Sequence, residues 1–290
     1  MKAVFEKYHC MGNDYLVYDP NKNEMELGPE QVKAVCDRNF GIGSDGILVG
    51  PVLGGEKMYV KILNPDGSEA EKSGNGMGIF ARYLRDAGYV QKTKVSWDTL
   101  GGEVTVYYLN EEGTRVKISM GKPTFWSDEI PVTGERREMV NQTMVFGKIP
   151  YVTTCLSIGN PHCVIWMNEI SKELVCRIGE HSEQDSSFPE KVNTQLLNVL
   201  DRTNIQIEIY ERGAGYTLAS GSCACAAACA ANRLGLADQN MYVHMPGGTL
   251  EVEIKEDGIV YMTGEVGYIG RMTLGTEMVE RLRQMERTEV

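Results

Sequence analysis

Short runs in which apolar and polar residues alternate make up most of the chain, and glycine-bearing polar turns separate them. Val104, Val106 and Tyr108 alternate through 102–108. The Glu111-Glu112-Gly113 turn follows, and 115–120 returns as the next strand of an antiparallel meander that begins at 95–97. The first half also predicts strands at 4–8, 15–19, 47–49 and 59–63. The second predicts strands at 143–146, 151–158, 162–167, 204–210, 242–244, 250–254 and 259–263. Helical patterns are fewer: 31–39, 77 to about 87, 170–178, 223–234 and a charged terminal stretch at 276–287. Strands outnumber helices and do not alternate with them one for one, which predicts an α+β fold rather than a parallel α/β sheet.

Two of the helices differ from the rest. Met77 to Leu84 and Cys223 to Leu234 are runs of small and apolar residues without a polar stripe, so each reads as a helix buried all round. Each begins at a glycine turn, Ser73-Gly74-Asn75-Gly76 and Ser220-Gly221-Ser222-Cys223. A turn of this kind directs unpaired backbone N–H groups outward at the positive end of the helix dipole, where a carboxylate or phosphate binds. The two serines lie 147 residues apart, and the same offset relates Gly12-Asn13 to Gly159-Asn160 and Asn64 to Glu211. An offset that stays constant over about 60 residues predicts two lobes of like fold, each carrying half of one site. The first lobe is expected to span 1–120, with 265–290 returning to it, and the second 121–264. Gly121-Lys122-Pro123 would be the boundary, and the site would lie in the cleft between the lobes.

Composition narrows the function. The net charge of −11 and the absence of basic clusters argue against a nucleic-acid partner. No apolar run approaches the length of a membrane span, and Met1-Lys2-Ala3 leads into a strand rather than a signal sequence, so a cytoplasmic protein is expected. The eight cysteines fall mostly in apolar runs, as reduced buried thiols do. Cys223, Cys225 and Cys229 have no histidine beside them and, on one helix, residues two apart such as Cys223 and Cys225 face different directions, so no metal is expected. The glycines at 41–46 follow a helix rather than a strand, which is not a dinucleotide fingerprint, and no cofactor is expected.

The candidate ligand-binding residues are Asn13, Asn64, Gly74, Asn75, Asn160, Asn193, Glu211, Arg212, Gly221 and Ser222, placed in loops at strand ends or at the helix starts. Several amides with one carboxylate and one guanidinium suit a zwitterion, Arg212 for its carboxylate and Glu211 for its ammonium. Ser73, Ser220, His162 and Glu211 are the candidate catalytic groups. For the serines, helix capping is the plainer alternative. His162 is a group that orients a neighbouring acid or base, or a structural histidine; His9 has a weaker claim, and His181 and His244 have none.

With these residues in place the chain resembles the diaminopimelate epimerase family, over 7–14, 64–76, 159–162, 189–193 and 211–221. Asn64-Pro65-Asp66-Gly67-Ser68-Glu69-Ala70-Glu71 and Gly74-Asn75-Gly76 are the most specific stretches. The resemblance implies two pseudo-symmetric lobes, each a β-barrel-like sheet around a central helix, and a homodimer. It implies a cofactor-free isomerase of lysine biosynthesis that interconverts L,L- and meso-diaminopimelate. In the family one cysteine removes the α-proton and a second returns one on the opposite face, with the counterparts of His162 and Glu211 modulating the pair. Here both cysteine positions are serine, Ser73 and Ser220. Gly78 stands where the family has arginine, Tyr216 where it has glutamate, and Ser222-Cys223 where it has Thr-Gly. A serine hydroxyl is a far weaker acid than a thiol and needs an adjacent base. The alternative is therefore an impaired or inactive relative, native or altered from cysteine to serine, that binds a diaminopimelate-like amino acid.

Overall fold

The computed structural model of the protein describes residues 3–55, 57–71 and 73–286, in which it forms eighteen strands and five helices. Met1, Lys2 and Arg287 lie outside the described residues. Contacts along the backbone divide the chain into two compact units, Met1–Ile118 with Glu265–Val290, and Ser119–Gly264.

The first unit begins with β1 (Val4–Cys10) and β2 (Asn13–Tyr18), then α1 (Pro29–Cys36), β3 (Ile47–Val52), β4 (Tyr59–Leu63) and the short β5 (Glu69–Ala70). Next come α2 (Gly74–Asp86) and the meander of β6 (Lys94–Thr99), β7 (Gly102–Tyr108) and β8 (Arg115–Gly121). β1 pairs antiparallel with β2, β2 parallel with β3, and β3 antiparallel with β4. β4 carries β5 antiparallel and β6 parallel, and the meander follows. The alternation at 104, 106 and 108 places Val104, Val106 and Tyr108 inward, with Val106 opposite Ile118 and Tyr108 opposite Val116 of β8, all buried.

The second unit opens with β9 (Gln142–Phe146) and continues through β10 (Ile149–Ser157), β11 (Pro161–Trp166), α3 (Lys172–Glu183), β12 (Asn193–Asp201) and β13 (Asn204–Glu211). It is completed by β14 (Gly215–Thr217), α4 (Gly221–Arg233), β15 (Asn240–Met245), β16 (Gly248–Ile254) and β17 (Val260–Glu265). Its pairings from β10 onward repeat those of the first unit strand for strand, including both parallel ones, β11 with β12 and β13 with β15. The outer strand is where the two differ in chain order. β9 precedes β10 and pairs antiparallel with it, whereas the partner on the same side of β1 is β18 (Gly267–Thr273), from the far end of the chain. α5 (Thr276–Glu286) follows and buries Val279 and Leu282 in a core with Phe5, Leu16, Val32, Val35 and Ile47.

The two small-residue helices occupy the centres. In α4 every residue from Cys223 to Ala231 is at most 3% exposed, and strands β10 to β13, β15 and β16 contact it. Alanine and cysteine let strands approach from all sides, which is why this helix has no polar stripe. α2 is held likewise by β1, β2, β3 and β7. Gly78 of α2 belongs to this packing. A Cβ there would lie 3.3–3.5 Å from methyl groups of Val116, Ile118 and Val266, an apolar setting that does not suit the arginine the resemblance implies.

Several boundaries differ from those expected. β1 runs on through His9 and Cys10, and Asn13 and Asn193 are the first residues of strands rather than loop residues. α1 starts at Pro29, whose fixed φ suits the first helical turn, and ends at Cys36. α3 extends to Glu183 because its inward face (Val175, Ile178, Gly179 and Ser182) continues past 178. Gly179 meets the Tyr210 ring so closely that a Cβ would fall 2.3 Å from Cγ of that ring. Gly179→Ala should therefore cost about 1–3 kcal/mol of overpacking, read as a lowered denaturant midpoint at unchanged slope.

Candidate active site

The start of α2 is built on β2. Alternation places Asn13 and Tyr15 on one face of that strand, and both reach the helix. The Asn75 amide donates to Asn13 Oδ1 at 3.2 Å, and the Tyr15 hydroxyl lies 3.2 Å from Ser73 Oγ. Ser73 caps the helix, its Oγ accepting from the Gly76 N–H at 3.1 Å. Such a cap contributes about 1 kcal/mol. The Tyr15 ring is itself held over Gly46, where a Cβ would come within 2.6 Å of it.

Behind Asn13 lies a charged lattice. Asn13 donates to Asp45 at 3.0 Å, Arg38 bridges Asp45 and Asp14 at 2.6 and 2.7 Å, and Lys7 meets Asp14 at 2.8 Å. Burial alone would raise the Asp14 carboxyl, but Arg38 and Lys7 outweigh it and hold it below the usual carboxylate range. Asn75 is buried, and its side-chain oxygen has no hydrogen-bond partner among the described residues. Asn64 stands apart from this cluster, closing its own turn through Ser68 at 3.0 Å.

In the second unit the same positions carry different chemistry. Ser220 precedes α4 but makes no side-chain cap. Its hydroxyl donates instead to Glu211 Oε2 at 2.9 Å, with the Ser222 hydroxyl 3.4 Å away. Glu211 ends β13, so the strand sets the position of the carboxylate. Asn193 donates to the Pro161 carbonyl at 2.9 Å and accepts from the Arg212 N–H at 3.1 Å, fixing the turn that carries Arg212. The Arg212 guanidinium bonds the Glu190 carbonyl at 3.1 Å.

His162 is fully buried, and its Nε2 lies 2.8 Å from Asn160 Oδ1. Burial drives its pKa down to about 3, assisted by the charge of Arg212 and opposed only by Gln195. It is neutral at physiological pH, and its ring can position a neighbour without carrying charge. Gln195 in turn donates to Cys223 Sγ at 3.2 Å. The Cys223 thiol is held well above its ordinary range by burial and by Glu211, so this sulfur stays protonated. Tyr216 is turned away to Glu208 at 2.9 Å, with the Lys172 ammonium over its ring. His244 bonds Thr249 and Asn204 within the sheet, and His181 is exposed.

Asn13 and Asn75 are joined directly to one another, as are Ser220 with Glu211 and Ser222, Asn160 with His162, and Asn193 with the backbone of Arg212. Three contributors went unnoticed in the sequence: Tyr15, Asp45 and Gln195. For Tyr15 a signal existed, since it lies two residues after Asn13 on a strand and 147 residues before His162. Among the described residues no group of three His, Cys, Asp or Glu side chains gathers to hold a metal, and no helix is long and apolar enough to cross a membrane.

The His162 geometry has a pH consequence. Its folded pKa lies below the unfolded value near 6.5, so the unfolded chain binds the proton first. Stability contributed by the neutral ring is complete above about pH 6.5 and declines as pH falls toward 3. Denaturant unfolding should show this loss between pH 7 and 5, and His162→Gln should flatten that slope whatever it does to the absolute stability.

The diaminopimelate epimerase family model matches residues 5–126 and 154–269. A protein named diaminopimelate epimerase 2 from a Nostoc species is 46% identical over 275 residues, covering 94% of this chain and 96% of its own. A diaminopimelate epimerase from a Synechocystis species is 37% identical, covering 91% and 96%. Among solved structures, a hydroxyproline epimerase from Agrobacterium vitis with bound trans-4-hydroxy-L-proline has the same fold at 12% identity. Its TM-score is 0.68, with 95% of this chain and 93% of that one covered. The helix starts, the two-unit repeat and the extent of these matches agree: the chain belongs to the diaminopimelate epimerase family.

Proposed function

We propose that the protein is a cofactor-independent epimerase that inverts one α-carbon of diaminopimelate, with Ser73 and Ser220 acting on opposite faces of that carbon. The observation that carries this reading is the Ser220–Glu211 bond at 2.9 Å. A serine alone is too weak an acid to serve as a proton carrier, but a serine that donates to a carboxylate has a base in place to take its proton. Glu211 supplies what a thiolate would otherwise provide by itself.

The remaining residues divide between binding and positioning. The N–H groups at the starts of α2 and α4, with Gly74, Asn75, Gly221 and Ser222, would hold the reacting carboxylate and the negative charge that develops there on deprotonation. Asn13, Asn64, Asn160, Asn193 and Arg212 would hold the distal amino-acid end, and His162 would keep Asn160 in place. Names of the relatives support diaminopimelate as substrate, since those at 37–46% identity carry it. On this reading the protein serves lysine biosynthesis in the cytoplasm, works on a free amino acid and assembles as a homodimer. The net charge of −11 argues against a nucleic-acid partner.

Incubation with L,L-diaminopimelate in D₂O should place deuterium at the α-carbon as the meso isomer accumulates, followed by mass spectrometry and chiral separation. Saturable binding without deuterium uptake would overturn the proposal. Glu211→Gln should lower turnover by about a hundredfold or more, while Ser73→Cys together with Ser220→Cys should raise it by at least that factor. Asp45→Ala, which releases Asn13, should raise KM about tenfold, the weight of one charge-assisted hydrogen bond, with a smaller change in kcat.

A further inference from the structure

The two serines have different hydrogen-bond surroundings. Ser220 gives its proton to Glu211 Oε2 at 2.9 Å, so its oxygen is left as an acceptor, with the Ser222 hydroxyl 3.4 Å away. Ser73 accepts from the Gly76 N–H at 3.1 Å, and a second group able to donate to it, the Tyr15 hydroxyl, lies 3.2 Å away. A hydroxyl has two acceptor sites and one proton. With Tyr15 donating, both acceptor sites of Ser73 are filled, and its own proton is the one left to point elsewhere. The first arrangement is that of a base, the second that of an acid.

From this contrast, and resting on the epimerase reading above, we infer that Tyr15 is the proton source for Ser73, the counterpart in the first unit of Glu211 in the second. The two groups are not equivalent positions of the internal repeat. Position 15 corresponds to His162 and position 211 to Asn64 at the common offset of 147. Each unit thus keeps one ionisable side chain beside its serine, but at a different repeat position: a phenol on the strand before the helix in one, a carboxylate at the end of the later strand in the other.

The steps balance. The Cα–H bond breaks and its proton passes to Ser220 Oγ as the Ser220 proton moves to Glu211, which becomes a neutral acid. On the opposite face Ser73 gives its proton to Cα and takes one from Tyr15, which becomes a phenolate. The return of one proton from Glu211 to Tyr15, through solvent or through a turnover in reverse, restores the starting state. A phenol is the better donor here, because phenols ionise near pH 10 and aliphatic alcohols several units higher. Tyr15 acts through Ser73 and not on the substrate, so it is a positioning and relay residue.

Tyr15→Phe removes only the hydroxyl and leaves the ring seated over Gly46; thermal unfolding checks that the variant folds. In D₂O the wild type should take up α-deuterium from both L,L- and meso-diaminopimelate. Tyr15→Phe should slow interconversion about tenfold or more at unchanged KM. It should also abolish uptake from the isomer that presents its α-proton to Ser73, while uptake from the other persists. Glu211→Gln should give the reverse pattern. On a Ser73→Ala background Tyr15→Phe should have no further effect. The inference is overturned if Tyr15→Phe leaves interconversion within twofold of wild type, lowers uptake from both isomers equally, or adds its full effect to that of Ser73→Ala. Absence of uptake by the wild type from either isomer would overturn the proposed reaction itself, and the part of Tyr15 with it.

Discussion

The first N–H groups of a helix have no partner within the helix, and the candidate site of this protein is built on two such helix starts. α2 and α4 are packed by strands of their own units, and the N–H groups of their opening turns are open to side chains, water or a bound anion. Ser73 satisfies one such group by capping α2, whereas Ser220 leaves α4 uncapped and turns to Glu211. The small residues that make central helices possible and the glycine turns that open them are two results of one packing arrangement. A ligand carboxylate at these turns would complete the hydrogen bonding of the fold as well as undergo reaction.

The internal repeat preserves backbone and pairing far more strictly than side-chain chemistry. Both units run through the same sequence of antiparallel and parallel pairings, yet corresponding positions hold tyrosine and histidine, or asparagine and glutamate. The first unit surrounds its helix start with a lattice of Lys7, Asp14, Arg38 and Asp45, in which charges are paired and positions fixed. The second uses a neutral buried imidazole and a protonated thiol. A common scaffold thus carries unlike side chains at corresponding positions of the two units.

Much of this was legible from sequence because its signals are local. The small-residue runs, the glycine turns and the constant offset marked both central helices, and the alternation at 104, 106 and 108 marked the meander. β12 was not legible, since the buried stretch from Asn193 to Leu197 lacks alternation and follows a loop that hides its start. β18 is broken by Gly270 and half exposed, and it gains its strand character only by pairing with β1, more than 250 residues earlier. Asp45 and Gln195 escaped notice for a related reason. Their importance lies in the partners that the fold brings to them (Asn13 and Cys223), and no spacing along the chain encodes those contacts. Tyr15 was visible as a strand residue, but its hydroxyl acquires meaning only once Ser73 is beside it.

The placement of β18 also bears on how the chain matures during synthesis. The second unit is one continuous stretch and has all its strands once the segment through Gly264 has left the ribosome. The first unit emerges earlier yet lacks its outer strand until the segment after Gly264 follows, so one side of β1 stays without its sheet partner throughout that interval. Order of translation and order of completion are therefore reversed. An exposed β1 edge is a template for non-native pairing, and the nascent chain is most vulnerable while the rest of it is already complete.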